Sequence, residues 1–199
     1  MLRLARIILV SLSLLLLLAA ACGGDDDSSS TATDAPTETD SGGDNGGDGN
    51  DASPELVDYF AEMDQIALRT DTRLEEIGSE LDGATFDSDA DEITANRDGL
   101  QQSGEAIESA LLDMSDLDPP AEVEDAHGDF FDALNAVLQL FASMSADIDD
   151  VSTSAELEAL SADYSQDFGS ADADFDEACL ALQEIADDNG VDADMHCTD

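Results

Sequence analysis

Positive charge is what this sequence most lacks. It contains no lysine, and its 199 residues include 50 Asp+Glu against 5 Lys+Arg. A protein that binds nucleic acid neutralises phosphates with clustered Lys and Arg side chains. The composition therefore excludes nucleic acid as a partner. The acidic surface is also repelled by anionic lipid headgroups, which attract basic segments.

Histidine is scarce as well, and this bears on catalysis. The chain has 2 His, and neither has a nucleophile and an acidic partner at the spacing of a catalytic triad. Glu124-x-x-His127 matches half of the di-iron carboxylate motif of ferritin-like bundles, but the second copy is missing. We therefore predict that the protein is not an enzyme and has no catalytic residue and no cofactor.

The N-terminal segment has the features of an export signal. Arg3 and Arg6 precede a nearly uninterrupted aliphatic run over residues 7–18. A positive start, an apolar stretch and small residues before a cut site describe a secretory signal. The apolar run is shorter than the about 20 residues that span a bilayer.

Cys22 follows three alanines directly. This ending resembles the lipobox of bacterial lipoproteins, although Ala19 stands where the family usually has leucine, and Leu18 lies one place earlier. The resemblance implies that residues 1–21 are a lipoprotein signal peptide and that Cys22 is diacylated on sulfur and becomes the new N-terminus. Two acyl chains suffice for stable anchoring, which predicts a location on the extracytoplasmic face of the cell membrane. The alternative is an ordinary signal peptide that leaves Cys22 as a spare thiol.

Residues 22–52 are predicted to be a lipid anchor followed by a disordered acidic tether. After Cys22 this segment consists of Gly, Ser, Thr, Asp and other small or polar residues, with no large apolar side chain that could build a core. Beyond the predicted cleavage site, three arginines remain against 50 acids, a formal charge of −47. We interpret these acids as a solvating shell; the alternative is binding of cations or of a cationic partner.

From Ser53 onward the apolar residues follow a helical period. Neither strand alternation nor a repeat of about 20–50 residues competes with it. The apolar seams alternate spacings of four and three residues and cover 56–81, 86–114, 123–148 and 157–185. Four helices with short connections predict an all-α, antiparallel up-down-up-down four-helix bundle over residues 53–199.

The ends of the outer helices carry recognisable signals. Ser53-Pro54 is typical of an N-cap followed by the first helical residue. Thr153-x-x-Glu156 is a capping box, and Gly190 after the last seam predicts a Schellman cap.

A polar layer is predicted halfway along the bundle. At about 1.5 Å per residue, Thr70, Arg97 and Tyr164 come to one height, next to a layer of small residues. That small-residue layer consists of Ala67, Gly104 and Ala171. The two layers could enclose a pocket in which Arg97 binds an anionic solute. The alternative is that Phe130 and Leu134 fill the space while Arg97 pairs with an acid.

Cys179 and Cys197 are the cysteines of the predicted bundle. Exported chains commonly oxidise such pairs, so we predict a disulfide that staples the C-terminal tail. The alternative is a zinc or copper site completed by His127 and His196. With a disulfide in place, we expect no bound metal and a hydrogen-bonded, partly buried His127.

The stretch 117–127, with Asp118-Pro119-Pro120, and the pair Cys179 and Cys197 look like helical lipoproteins of actinobacteria. That resemblance implies no activity. We therefore expect a lipid-anchored, non-enzymatic interaction or scaffold module that binds the membrane through its lipid and a protein of the cell envelope. The alternative is a small-solute or metal-binding protein that uses the polar layer or the Cys/His end.

Overall fold

A computed structural model of the chain describes residues 52–193, 195 and 197. The predicted signal peptide, Cys22, the tether up to residue 51 and His196 lie outside the described residues. Within them, four α-helices follow one another, with a short 3-10 turn, Ile148–Asp150, after the third. The helices are α1 (Pro54–Gly83), α2 (Asp89–Ser115), α3 (Glu124–Asp147) and α4 (Ser154–Asp188). The predicted all-α four-helix bundle is confirmed.

Side chains close the N-termini of α1 and α4 as predicted. Ser53 Oγ accepts a hydrogen bond from Leu56 N at 3.2 Å. The capping box of α4 is complete, because Thr153 Oγ1 accepts from Glu156 N at 3.2 Å and Thr153 N donates to Glu156 Oε2 at 3.0 Å. Each cap satisfies backbone N–H groups that have no partner within the helix.

The second helix begins later than its apolar seam predicted. The seam starts at Phe86, but α2 starts at Asp89. The cause is Ser88, whose Oγ accepts from Asp91 N at 3.3 Å and makes Ser88 the N-cap. Phe86 is half-buried in the connection that precedes the helix.

The C-terminus of α4 is a complete Schellman motif, as predicted. Gly190 has a φ of 69°, in the left-handed region that glycine adopts without strain. Val191 N donates to Ala186 O at 2.9 Å, and Gly190 N donates to Asp187 O at 3.0 Å. Val191 is buried in the core, which supplies the apolar contact that accompanies such caps.

Helices pack mainly on their neighbours in the chain: α1 on α2, α2 on α3, and α3 on α4. Most of the core falls into two groups, and Ile77 of α1 and Ala171 of α4 are buried outside both. The first, which we call the base cluster, joins all four helices to the C-terminal tail at the end where α1 starts and α4 ends. Its largest members are Leu56, Tyr59, Phe60, Met63, Ile66, Met114, Phe130, Leu182 and Met195.

The second group, the upper cluster, joins α2, α3 and α4. It contains Ile93, Leu100, Ile107, Leu111, Phe141, Met144, Ile148 and Leu157. Phe141 and Phe168 meet edge to face, with ring centroids 5.3 Å apart. Burying each large side chain of this kind contributes roughly 1.5–3 kcal/mol, so these clusters supply most of the stability of the fold.

Candidate functional site

The disulfide Cys179–Cys197 lies at the base of the bundle. The two Sγ atoms are 2.03 Å apart, so the predicted pairing is confirmed. Cys179 is 1% exposed within the base cluster, which places the bond against the core. The bond holds the end of the tail beside α4.

Gln183 is a second clamp on the tail. Its Oε1 accepts from Met195 N at 3.0 Å, and its Nε2 donates to Ala193 O at 2.9 Å. One side chain thus satisfies a backbone donor and a backbone acceptor of a segment without secondary structure. Met195 is buried in the base cluster. The tail is therefore part of the core.

His127 meets Tyr59 in the same region, between α3 and α1. Tyr59 Oη lies 3.0 Å from His127 Nδ1, and the two rings contact edge to face. Burial lowers the pKa of His127 and raises the pKa of Tyr59. Both groups are therefore neutral near pH 7, and Tyr59 donates its hydroxyl proton to Nδ1. His127 is the partly buried, hydrogen-bonded histidine that we expected.

The alternative metal site at this end loses two of its four ligands. Both cysteines are in the disulfide, so neither supplies the thiolate that binds zinc or copper. His196 lies outside the described residues. Within the described part, no group of three or more His, Cys, Asp or Glu side chains could hold a metal ion.

The three residues of the predicted polar layer bind to different partners. Thr70 Oγ1 donates to Ile66 O of its own helix at 2.9 Å. Tyr164 Oη donates to Asp147 Oδ2 at 2.8 Å, and this bond raises the pKa of Tyr164. The Thr70 side chain is thus hydrogen-bonded within α1, whereas Tyr164 connects α4 to the end of α3.

Arg97 binds the turn that follows α3. Its Nε lies 2.9 Å from Asp149 Oδ1, and its Nη2 donates a long hydrogen bond, 3.4 Å, to Ile148 O. The Nε contact is an ion pair without hydrogen-bond geometry, because the buried Nε–H has no acceptor in line. Arg97 thus pairs with an acid, which is the alternative to binding an anionic solute. An anionic solute would have to compete with Asp149 for the guanidinium.

The layer of small residues is closed where it meets α3. A Cβ placed on Gly104 would lie 3.9 Å from Leu138 Cδ1 and 4.0 Å from Phe141 Cβ. These are ordinary van der Waals distances, so α3 side chains already pack beside the glycine. Beside Gly104 the nearest α3 side chains are Leu138 and Phe141. Phe130 and Leu134, the residues predicted to fill this level, pack in the core: Phe130 belongs to the base cluster, and Leu134 contacts both clusters.

The two remaining arginines of the described chain form exposed ion pairs. Arg69 Nη2 lies 2.8 Å from Asp113 Oδ2, and Arg73 Nη1 lies 3.2 Å from Glu76 Oε2. Arg73 also donates to Gln102 Oε1 at 2.7 Å. Because exposed pairs contribute about 0–1 kcal/mol, their main effect is to hold both cations on the flank of α1 that faces α2.

Sequence reasoning missed Tyr59 and Gln183. The first predicted seam runs through Leu56, Phe60 and Met63 at alternating spacings of four and three residues, and Tyr59 lies outside that pattern. A wider apolar face would have included it, since positions three residues apart also share a face. Gln183 lies one turn after Cys179, but no sequence signal showed that the tail backbone would need its amide.

No protein-family model, curated protein or solved structure matches this chain. No helix of residues 52–193 combines the length and apolarity needed to cross a bilayer. The predicted lipidation residue, Cys22, lies outside the described residues.

Proposed function

We propose that this protein is a lipid-anchored module on the extracytoplasmic face of the cell membrane, with a non-enzymatic interaction or scaffold role in the cell envelope. The observation that carries the proposal is the order of segments around Cys22. A positive start and an aliphatic run precede the cysteine, and a polar tether follows it. Each segment has the chemistry that export, acylation and spacing require.

The charge of the chain supports a lipid rather than a surface contact as the means of attachment. A formal charge of −47 after the predicted cleavage, with three arginines against 50 acids, gives the body no attraction to an anionic bilayer. Two acyl chains on one cysteine provide the hydrophobic energy that the body lacks.

Binding rather than catalysis is supported by how the polar side chains of the bundle are used. His127 is hydrogen-bonded to Tyr59, Arg97 is paired with Asp149, and both bundle cysteines are oxidised. Histidine, arginine and cysteine side chains are the kinds of group that enzymes use for catalysis, but here they connect helices or hold the tail. A rigid acidic bundle on a long tether suits a protein that meets a partner at some distance from the membrane.

Mass spectrometry of the mature N-terminus tests the proposal. We expect the protein isolated from the envelope to begin at Cys22 and to carry a diacylglyceryl group on that residue. The purified protein should also partition into the detergent-rich phase. A mature chain that begins elsewhere, or an unmodified Cys22 thiol that reacts with iodoacetamide, would overturn the lipoprotein assignment.

A further inference from the structure

The end of the chain forms a strap across the base of the bundle. We define the strap as residues 192–197, of which the structure describes Asp192, Ala193, Met195 and Cys197. It follows the Schellman motif that ends α4 at Gly190. Three features hold its described part: burial of Met195, the two backbone hydrogen bonds to Gln183, and the disulfide.

The helices build most of the base cluster without the strap. Leu56 of α1 is 1% exposed and Leu182 of α4 is 0% exposed, and both belong to this cluster. The strap adds Met195, with Ala193 and Cys197 packed beside it. Release of the strap therefore uncovers an apolar surface at the base but leaves the helix-to-helix core in place, as in local unfolding of a weakly held segment.

Charge opposes the closed strap. The last two turns of α4 carry Glu184, Asp187 and Asp188, all exposed, and the exposed Asp192 follows in the strap. No basic side chain lies in the last turn of α4, where the helix dipole favours cations. Like charges so close together repel each other, most strongly at low salt. This repulsion favours release of Asp192 and the segment attached to it.

The disulfide offsets the cost of ordering the strap. Each residue fixed in a segment without secondary structure loses conformational entropy, and one buried methionine with two hydrogen bonds recovers only part of that loss. The bond joins positions 18 residues apart in the sequence, so it restricts the open segment and lowers the entropy lost on closing. The closed strap therefore depends on the bond.

The two cysteines of the bond differ in accessibility. Cys179 is 1% exposed within the base cluster, whereas Cys197 is only half-buried. Thiol–disulfide exchange begins with attack of a thiolate on one sulfur of the bond, and its rate depends on access to that sulfur. An external thiolate is therefore directed to Cys197, because the core shields Cys179.

We propose that the strap is a redox switch: a dithiol reductant opens it at Cys197, the bundle stays folded, and the apolar surface under Met195 becomes accessible. Oxidised and reduced protein therefore differ in the surface that they offer to a partner. The switch uses residues of the bundle alone, so it goes beyond the proposed anchoring and does not depend on acylation of Cys22.

The exchange proceeds in two steps. A thiolate of the reductant attacks Cys197 Sγ and forms a mixed disulfide; the bond to Cys179 breaks, and its electron pair leaves on Cys179 Sγ, which takes up a proton. The second thiolate of the reductant then attacks the reductant's sulfur in the mixed disulfide and releases Cys197 as a thiol. The protein disulfide gains two electrons, and the dithiol is oxidised to a disulfide.

Reduction without denaturant tests the switch. The sample is the full chain carrying Cys22→Ala, in which Cys179 and Cys197 are the remaining cysteines, and the probe is dithiothreitol followed by iodoacetamide. We expect full reduction, unchanged far-ultraviolet circular dichroism, and alkylation of Cys197 at least tenfold faster than of Cys179. Hydrogen exchange over the strap should become at least tenfold faster and match that of Cys179→Ser/Cys197→Ser.

A matched pair of variants tests whether the reduced strap is open. Gln183→Ala weakens the closed form only, so it should shift the ratio of reduced to oxidised dithiothreitol at half reduction about fivefold in favour of the reduced protein. If the strap stayed closed after reduction, the substitution would weaken both forms alike and the ratio would not move. Gln166→Ala, at an exposed position of the same helix, should leave the ratio unchanged.

A bond that is reduced only once the bundle is denatured would overturn the proposal, because the disulfide would then be a permanent staple. Unchanged strap exchange after reduction, or an equal ratio for Gln183→Ala and Gln166→Ala, would do the same, since the strap would then close without the bond. Loss of helix on reduction would show that the bond supports the whole bundle and would also contradict a local switch. The mass of the mature N-terminus tests Cys22 acylation separately.

Discussion

The hydroxyl of Tyr59 and Nδ1 of His127 lie 3.0 Å apart and connect α1 to α3 across 68 positions of the sequence. Tyr59 is 4% exposed and belongs to the base cluster. The pair therefore ties the first helix into the bundle at the end where the tail is clamped. It converts a histidine that could have served metal binding into an internal hydrogen-bond acceptor.

This pair predicts a specific dependence of stability on pH. Burial lowers the pKa of His127 below its usual 6.5, so the folded state binds this proton less readily than the unfolded state. The contribution of the neutral histidine is present above about pH 6.5 and is lost as the pH falls towards the folded pKa. The difference in melting temperature between wild type and His127→Gln should shrink from pH 7.5 to pH 5.5.

The many carboxylates also change stability as the pH falls, but they are the same in wild type and in His127→Gln. Their effect therefore cancels in the difference in melting temperature. A difference in melting temperature that stays constant or grows on acidification would contradict the assignment.

Tyr59→Phe should cost about 1 kcal/mol of the free energy of unfolding, because it leaves Nδ1 without a donor.

Removal of the disulfide should release the tail. Cys179→Ser/Cys197→Ser is expected to lower the free energy of unfolding by roughly 3 kcal/mol, the value for a closed loop of this size in the chain-entropy model. Hydrogen exchange at Met195 should become faster, because only Gln183 and the burial of Val191 and Met195 would then hold the segment. Unchanged stability on denaturant titration of the reduced and oxidised wild type would refute this role.

Gly190→Ala should destabilise the end of α4. A φ of 69° is unfavourable for alanine, so we expect a cost of about 1 kcal/mol. Gly169→Ala is a suitable control, because it lies inside α4 with open space at its Cβ and should be neutral or slightly stabilising. Chemical denaturation of both variants makes the comparison, and an equal effect would mean that the Schellman cap contributes little.

Asp172→Asn should raise the melting temperature at pH 7. Burial and the charge of Asp176 raise the pKa of Asp172, so the folded state disfavours the ionised carboxylate. The stabilising, protonated form is fully present below the unfolded pKa and is lost as the pH rises through the folded pKa. The gain should therefore disappear near pH 3.5. Asp174→Asn, at an exposed position of the same helix, should produce a smaller change at pH 7.

The fold could be predicted because its signals are local. The four-three spacing of apolar residues specifies each helix, and Ser53, Thr153 and Gly190 mark helix ends by their own hydrogen-bonding and backbone preferences. Phe86 shows the limit: an apolar position in phase with a helix stays outside it when Ser88 provides a better N-cap. The Cys179–Cys197 pairing was predictable because only two cysteines of the predicted bundle required partners.

Long-range side-chain partners could not be predicted from heights along the helices. Thr70, Arg97 and Tyr164 share a level in that calculation, yet Arg97 binds Asp149 and Tyr164 binds Asp147, both near the end of α3. Height along an axis does not specify the direction in which a side chain points around it. The weak contact between α1 and α4 likewise depends on packing in three dimensions, which seam spacing does not encode.

Fractionation of cells that express Cys22→Ala tests the central claim most directly, with Cys179→Ser/Cys197→Ser as the control that alters the other cysteines. If the acyl chains alone hold this acidic protein at the membrane, Cys22→Ala should move to the soluble extracytoplasmic fraction with an unchanged melting temperature, while the control stays with the membrane. A Cys22→Ala protein that remains in the membrane fraction after a high-salt wash would contradict the account.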